Sequence, residues 1–293
     1  MIVNLPSDFP AITALRAEGI DLADCRQSQR GGAPLRIAIL NLMPLKQMTE
    51  VDLLRILSAS PLDIEVYWLK LDSHVSRNTP HEHMARYYRS FADVAGDRFD
   101  GLIVTGAPVE KLDYEAVDYW DELCRVFDWS RTHVTGSSLF ICWGALAALY
   151  YFYGVPKYIL SRKISGVFPH VVVDRDNPLL RGFDDRYYVP HSRYGDVRAD
   201  DIVRVPELTI VSTGENGGVY IVQDVTRRQI FVTGHSEYAP MTLDFEYHRD
   251  LDKGMSPDIP ANYYPDNDPS QPPCVLWRSH AHLLFCNWLQ SLA

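Results

Sequence analysis

Ser138-Leu139-Phe140-Ile141-Cys142-Trp143-Gly144-Ala145-Leu146-Ala147-Ala148-Leu149-Tyr150 is the stretch on which the fold turns. Its first four residues form a short run of strand character, and the last seven, rich in Ala and Leu, favour a helix. Cys142 therefore falls at a strand-to-helix joint. Such a joint resembles a nucleophile elbow, a tight turn that lifts one reactive side chain above the carboxyl edge of a sheet. The helix that begins just after the sulfur also brings unsatisfied N–H groups and its positive dipole end close to it. An isolated buried cysteine is ordinarily an inert small hydrophobe, so the elbow needs a partner before Cys142 reads as catalytic.

That partner lies far downstream. Ile230-Phe231-Val232-Thr233 is a second apolar strand, and it runs into Gly234-His235-Ser236-Glu237. Alternation along an extended chain predicts His235 and Glu237 on one face, where the carboxylate orients the imidazole. Nucleophile, base and orienting acid are then all present. His235 alone would read as a structural histidine; the pairing with Cys142 carries the inference.

The sequence around these points alternates strands and helices. A short helix is predicted near Ala11 to Glu18 and a loop at Arg30-Gly31-Gly32-Ala33-Pro34, followed by a buried strand over Arg36 to Leu42. Met43-Pro44 breaks that strand, and Thr49 is the expected cap of a helix running through Leu53, Leu54 and Ile56. Ile64 to Trp68 and Gly101 to Thr105 read as further strands, and Tyr114 to Phe127 as a helix. Strand signals recur over Ile164 to Val173 and Leu208 to Thr233; a helix is expected over Ala281 to Leu292. Pro257 to Pro273 reads as a long ordered surface loop. This alternation implies an α/β fold, a mostly parallel sheet with helices on both faces. The expected organisation is an amino-terminal arm, residues 1–34, and a single α/β domain, residues 35–293. Ligands in such sheets gather at strand carboxyl ends, which singles out Met43-Pro44, Gly106-Ala107-Pro108 and Cys142-Trp143-Gly144.

Composition limits the alternatives. The 293 residues are 46% hydrophobic and 23% charged, ample for a core. A formal charge of −10 without a long Lys/Arg run argues against a nucleic-acid partner. Glu110, Asp113, Glu115, Asp118, Asp121 and Glu122 concentrate the acid, and most are expected on the solvated face of the Tyr114 to Phe127 helix. The uncharged stretch from Val134 to Pro156 approaches a membrane span in length, but its glycines and the elbow divide it, so no membrane partner is expected. Five cysteines, Cys25, Cys124, Cys142, Cys274 and Cys286, show no paired short spacing. With no basic or apolar leader at Met1 to Pro6, they fit a reducing cytoplasm. His280 and His282 lack a supporting ligand cluster and are expected to pack a helix, leaving no metal site.

With these residues placed, the chain resembles the homoserine O-acyltransferases of methionine biosynthesis that are built on a class I glutamine-amidotransferase-like, flavodoxin-like fold. The likeness runs nearly end to end. It includes Ile39-Leu40-Asn41-Leu42-Met43-Pro44, Ser76-Arg77-Asn78-Thr79-Pro80, Phe99 to Pro108, Pro190-His191-Ser192-Arg193-Tyr194, Val232 to Tyr238 and Trp277-Arg278-Ser279-His280. The resemblance implies that Cys142 is the acyl-thioester nucleophile, His235 the proton acceptor and Glu237 its partner. It places Lys163, Ser192 and Arg249 on the amino-acid substrate and Glu110 at the position that distinguishes acyl donors.

The reaction implied is two-step transfer from acetyl-CoA, a co-substrate, to L-homoserine; no cofactor is expected, and a homodimer follows by family analogy. The backbone N–H groups of Trp143 and Ala107 are the expected oxyanion donors. Leu146 departs from the Gln common in the family at that position. Three readings compete: succinyl-CoA as donor, a glutaminase with the same triad, and a non-catalytic binding protein. Against the glutaminase, Phe140 and Leu146 stand where its elbow usually carries Gly and Gln.

Overall fold

The structure, a computed structural model, describes residues 5–20, 22 and 33–293. Met1 to Asn4, Cys25 and the Arg30-Gly31-Gly32 part of the predicted loop lie outside the described residues. The chain begins with α1 (Pro10–Ala17), then β1 (Leu35–Leu40), α2 (Lys46–Leu57), β2 (Ile64–Lys70), α3 (His81–Tyr87), β3 (Tyr88–Ser90), α4 (Phe91–Val94) and β4 (Phe99–Val104). α5 (Trp120–His133), β5 (Val134–Ile141), α6 (Trp143–Tyr153), β6 (Tyr158–Val172), β7 (Arg186–Asp196) and α7 (Ala199–Val203) follow. The last elements are β8 (Leu208–Gly214), β9 (Gly218–Asp224), β10 (Gln229–Val232), α8 (Thr242–Asp252) and α9 (Arg278–Gln290).

The ten strands of the described residues form one sheet in the order β3-β2-β1-β4-β5-β10-β9-β8-β6-β7. From β3 to β10 neighbours run parallel; from β10 onward they run antiparallel. The segment β2-β1-β4-β5-β10 is the flavodoxin-like order, whose switch point lies between the first and third strands of the series, here β1 and β4. Met43-Pro44 leaves β1 and Gly106-Ala107-Pro108 leaves β4 at that crevice.

Strand alternation divides the core into two layers. Ile37 and Ile39 of β1 and Leu139 and Ile141 of β5 pack with Leu53, Leu54 and Leu57 of α2 and Leu284 and Trp288 of α9. Ala38 and Leu40, with Phe140, face the other way, onto Leu123 and Phe127 of α5 and Ala147 and Ala148 of α6. Phe9, Ile12 and Leu15 in and beside α1 join the first layer.

Several local expectations are corrected. Thr49 is not a cap: α2 starts at Lys46, and the Thr49 hydroxyl bonds back to the Leu45 carbonyl inside the helix. The helix expected from Tyr114 begins at Trp120, after a single 3-10 turn over Tyr114–Ala116, and continues to His133. Nor is its acid uniformly solvated. Glu122 is buried and accepts from the backbone N–H groups of Asp72 and Ser73 at 3.0 and 2.8 Å, tying α5 to the loop after β2. The Pro257 to Pro273 segment is a loop with one 3-10 turn, but it does not stay on the surface. Ala261 pairs with Gly166 of β6, and Tyr263 and Tyr264 are buried. No helix among the described residues is long and apolar enough to cross a membrane.

Candidate functional site

Cys142 sits where β5 ends and α6 begins, with φ 51° and ψ −119°. Positive φ is uncommon for a residue with a Cβ and marks a backbone held by its surroundings. The hold is visible: the Cys142 N–H donates to the Val232 carbonyl at 2.7 Å, extending the β5–β10 ladder to the turn itself. Gly144 lets α6 leave steeply, since a Cβ there would come within 2.6 Å of the Thr105 carbonyl oxygen. Gly106 keeps the space over the thiol open. A Cβ on it would lie 3.2 Å from Cys142 Cβ, 3.6 Å from Sγ and 3.7 Å from His235 Cε1.

His235 and Glu237 meet as expected, Nδ1 to Oε1 at 2.6 Å, but not through strand alternation. β10 ends at Val232, and the pair lies on a turn closed by the Tyr238 N–H onto the His235 carbonyl. The ring stacks on Tyr238 at 4.2 Å, and its backbone N–H donates to the Pro190 carbonyl at 2.8 Å. Burial works to lower the His235 pKa. The charge and hydrogen bond of Cys142 together with those of Glu237 outweigh it and hold the imidazole well above its ordinary value. With Nδ1 engaged by Glu237, Nε2 is the nitrogen left for the sulfur.

Cys142 and His235 open into a cavity of about 430 Å³. Its walls include all three loops singled out from the sequence, and Ala107, Glu110, Lys163, Ser192 and Arg249 line it too. Glu237 stands behind His235 on the wall of a separate, larger cavity of about 920 Å³ that contains neither Cys142 nor His235. Trp143 has its indole buried, and only its backbone bears on the site. As the first residue of α6, its N–H has no acceptor within the helix.

The far wall of the smaller cavity is a charge cluster. Glu246 of α8 gathers three donors: Lys163 Nζ at 2.9 Å, Tyr238 OH at 2.9 Å, and the Ser192 hydroxyl. Burial opposes ionisation of Glu246, but Lys163 and Ser192 more than compensate and hold the carboxyl below its ordinary value. Arg249 turns its fork onto Asp250 at 2.7 and 2.9 Å, and Asp250 also faces Lys163 at 3.8 Å. Lys163 and Arg249 against Glu246 and Asp250 make two positive and two negative groups, a neutral set.

Glu246 and Asp250 were not among the residues read from the sequence. The available signal was their spacing: Glu246 stands one helical turn before Arg249 on the same helix. Lys46 is a second omission. It is buried beneath the Met43-Pro44 loop, its Nζ donating to the carbonyls of Asn41 and Met43, and burial lowers its pKa to about 8.

Glu110 is half-buried at the cavity mouth. The Tyr194 N–H reaches its carboxylate at 3.4 Å, while Lys111 extends over the Tyr194 ring at 3.9 Å. Leu146 is buried against Gly195 and contributes no polar group to the site. His280 bonds Asp184 at 3.1 Å and stacks on Tyr187.

Comparisons with known proteins bear on this arrangement. The sequence model of the family described as "HTS: Homoserine O-succinyltransferase" matches residues 2–293. A protein from Bacteroides fragilis (strain YCH46) named homoserine O-acetyltransferase is 54% identical over 99% of this chain and 95% of its own length. Relatives of the same name from Methanomethylophilus alvi (strain Mx1201) and Desulfitobacterium hafniense (strain Y51) are each 51% identical over 99% of this chain and 94% of theirs. Among solved structures, a glutamine amidotransferase from Thermotoga maritima superposes with a TM-score of 0.55 at 15% identity, covering 89% of this chain and 97% of that one. That likeness fixes the fold as class I glutamine-amidotransferase-like. A match along nearly the whole sequence, with relatives above half identity, shows that the chain belongs to the homoserine O-succinyltransferase family of acyltransferase enzymes.

Proposed function

We propose that the protein transfers an acetyl group from acetyl-CoA to the γ-hydroxyl of L-homoserine through a thioester on Cys142. The observation that carries this reading is the shared cavity. A Cys-His-Glu triad opens on one wall, and a neutral set of paired charges, suited to a zwitterionic amino acid, stands on another.

In the first step the Cys142 thiolate attacks the acyl carbonyl, and the N–H groups of Trp143 and Ala107 are the donors for the oxyanion. The tetrahedral intermediate collapses with loss of the CoA thiolate, which takes the proton held on His235. In the second step His235 removes the γ-hydroxyl proton of homoserine, and that oxygen attacks the thioester. Cys142 leaves as thiolate, and Glu237 stabilises the imidazolium formed on the way. Homoserine is oriented with its ammonium toward Glu246 and its carboxylate toward the planar fork of Arg249, which gives up Asp250 to receive it.

Acetyl rather than succinyl is the favoured donor because of Glu110. Its carboxylate stands at the mouth of the cavity, where the distal carboxylate of a succinyl group would be forced against it. The names of the relatives support the same donor, whereas the family description names the succinyl reaction.

Intact-mass spectrometry of the protein with acetyl-CoA alone tests the scheme: one acetyl adduct on Cys142 is expected. No adduct, together with kinetics requiring both substrates bound at once, would overturn it. Glutamine hydrolysis is the control for the fold's other chemistry, and none is expected.

A further inference from the structure

Behind the base lies a buried polar chain that the two chemical steps do not use. Arg193 of β7 is fully buried. It donates to the Gly195 and Gly217 carbonyls at 2.7 and 2.8 Å and pairs with Asp196 at 2.8 Å. Its Nε lies 3.3 Å from His191 Nδ1. A guanidinium can only donate, so Nδ1 is an acceptor and the neutral His191 ring carries its hydrogen on Nε2. That nitrogen stands 3.2 Å from His170 Nε2 and donates to it. His170 then carries its own hydrogen on Nδ1, which donates to the Phe168 carbonyl at 2.9 Å. Every hydrogen along the chain is placed by the one residue that keeps its protons.

The same strand seats the active site. Pro190 accepts the His235 N–H. The His191 ring lies against Gly234, where a Cβ would come within 2.9 Å of its Cε1. Ser192 donates to Glu246.

We propose that His191 and His170 are positioning residues for acyl transfer: the one-way chain Arg193–His191–His170–Phe168 holds β7 where it seats His235 and Ser192, and it does so only while both rings are neutral. This rests on the reading of His235 as the base. Burial pushes His170 down to about 4, with Arg193 adding to it. Burial, then Arg193, His170 and His235, keep His191 well below its ordinary value. The groups facing the two rings are Arg193 with its partner Asp196 on β7, His235 on the turn, and the rings of Tyr187 and Tyr220 from β7 and β9. A proton added to His170 Nε2 would set two N–H groups against each other. Because the folded pKa is depressed, the stabilisation is complete above the unfolded value of about 6.5 and is lost as pH falls through the folded value.

The test uses the full chain labelled with [15N]histidine. Long-range proton–nitrogen correlation spectra are expected to show His191 protonated at Nε2 and His170 at Nδ1, with neither ring titrating near 6.5. The opposite tautomer at either ring, or ordinary titration, overturns the proposal. In kinetics, His170→Phe, which removes the acceptor, is expected to lower kcat about tenfold per folded molecule near neutrality, with the deficit narrowing toward acid pH as the parent's own His170 becomes protonated. His170→Gln, whose amide oxygen accepts and cannot titrate, should recover most of the loss and flatten the acid side. Equal kcat in the two variants would reduce the chain to packing. Adduct formation on Cys142 by acetyl-CoA reports separately: its absence sinks the thioester reading, and the tautomers still judge the chain.

Discussion

The two halves of the sheet build the site by different means. The parallel half, β3 to β10, delivers the proposed nucleophile at the end of a strand: β5 runs out, the chain turns at Cys142, and α6 carries it away. The antiparallel half delivers side chains from within strands: Ser192 of β7 from its register opposite Ser165, and Lys163 from the irregular stretch of β6 between Ile159 and Ile164, both reaching Glu246 of α8. His235 stands at the seam, since β10 pairs parallel with β5 and antiparallel with β9. A strand-end site presents one residue from a turn, held here by the Cys142 N–H on the Val232 carbonyl. A register-built site depends on long-range pairing, where a one-residue slip turns every side chain to the other face. Damage to the first should therefore abolish chemistry, and damage to the second should loosen substrate selection.

The sharpest break comes at the elbow. Cys142→Ser should lower acetyl transfer by at least about three orders of magnitude, because a hydroxyl is a far weaker nucleophile near neutrality. Steady-state rates and the loss of the mass adduct check it, while thermal melting should stay close to the parent.

Glu237→Gln comes next, with an expected loss of about a hundredfold or more in kcat and an intact fold. The carboxylate helps hold the His235 pKa up, so its neutralisation should move that titration to lower pH. An unshifted pH profile would show Glu237 to be a packing group.

Arg249→Lys probes the antiparallel half and its charge cluster. The charge stays and the planar fork goes, so KM for homoserine should rise about tenfold while acylation of Cys142 proceeds as before. An equal loss in the acylation step would remove Arg249 from the homoserine site and erase the division between the halves.

The smallest effect is expected at the cavity mouth. Glu110→Gly should raise the ratio of succinyl-CoA to acetyl-CoA use several-fold, about 1 kcal/mol of discrimination. Measuring kcat/KM for both donors checks it, and a parent enzyme that prefers succinyl-CoA would refute the donor assignment outright.

Cys142, its elbow and the strand leading to His235 were legible in the sequence because their signals are contiguous: an apolar run, a turn, then a helix former. The partnership of His235 with Glu237 was legible too, though for a different geometric reason. Two residues apart is within reach on a strand or across a turn, and the residues alone do not say which. Thr49 and the Tyr114 to Phe127 helix were misplaced because capping residues and acidic runs recur inside elements as well as at their ends, and packing selects among them.

Glu246 shows where local signals run out. Its spacing to Arg249 is on view in α8, but its partners Lys163 and Ser192 stand 83 and 54 residues away, brought together only by the β6–β7 pairing. The hydrogen placement through Arg193, His191 and His170 is likewise absent from the string of residues. By itself, then, the sequence determined the α/β class and picked out the residues proposed as nucleophile and base, since periodicity and turn chemistry act over a few residues at a time. Tertiary structure alone decided which acid faces which base across the sheet, because burial and distance, which set ionisation and hydrogen bonding, exist only once distant strands are in register.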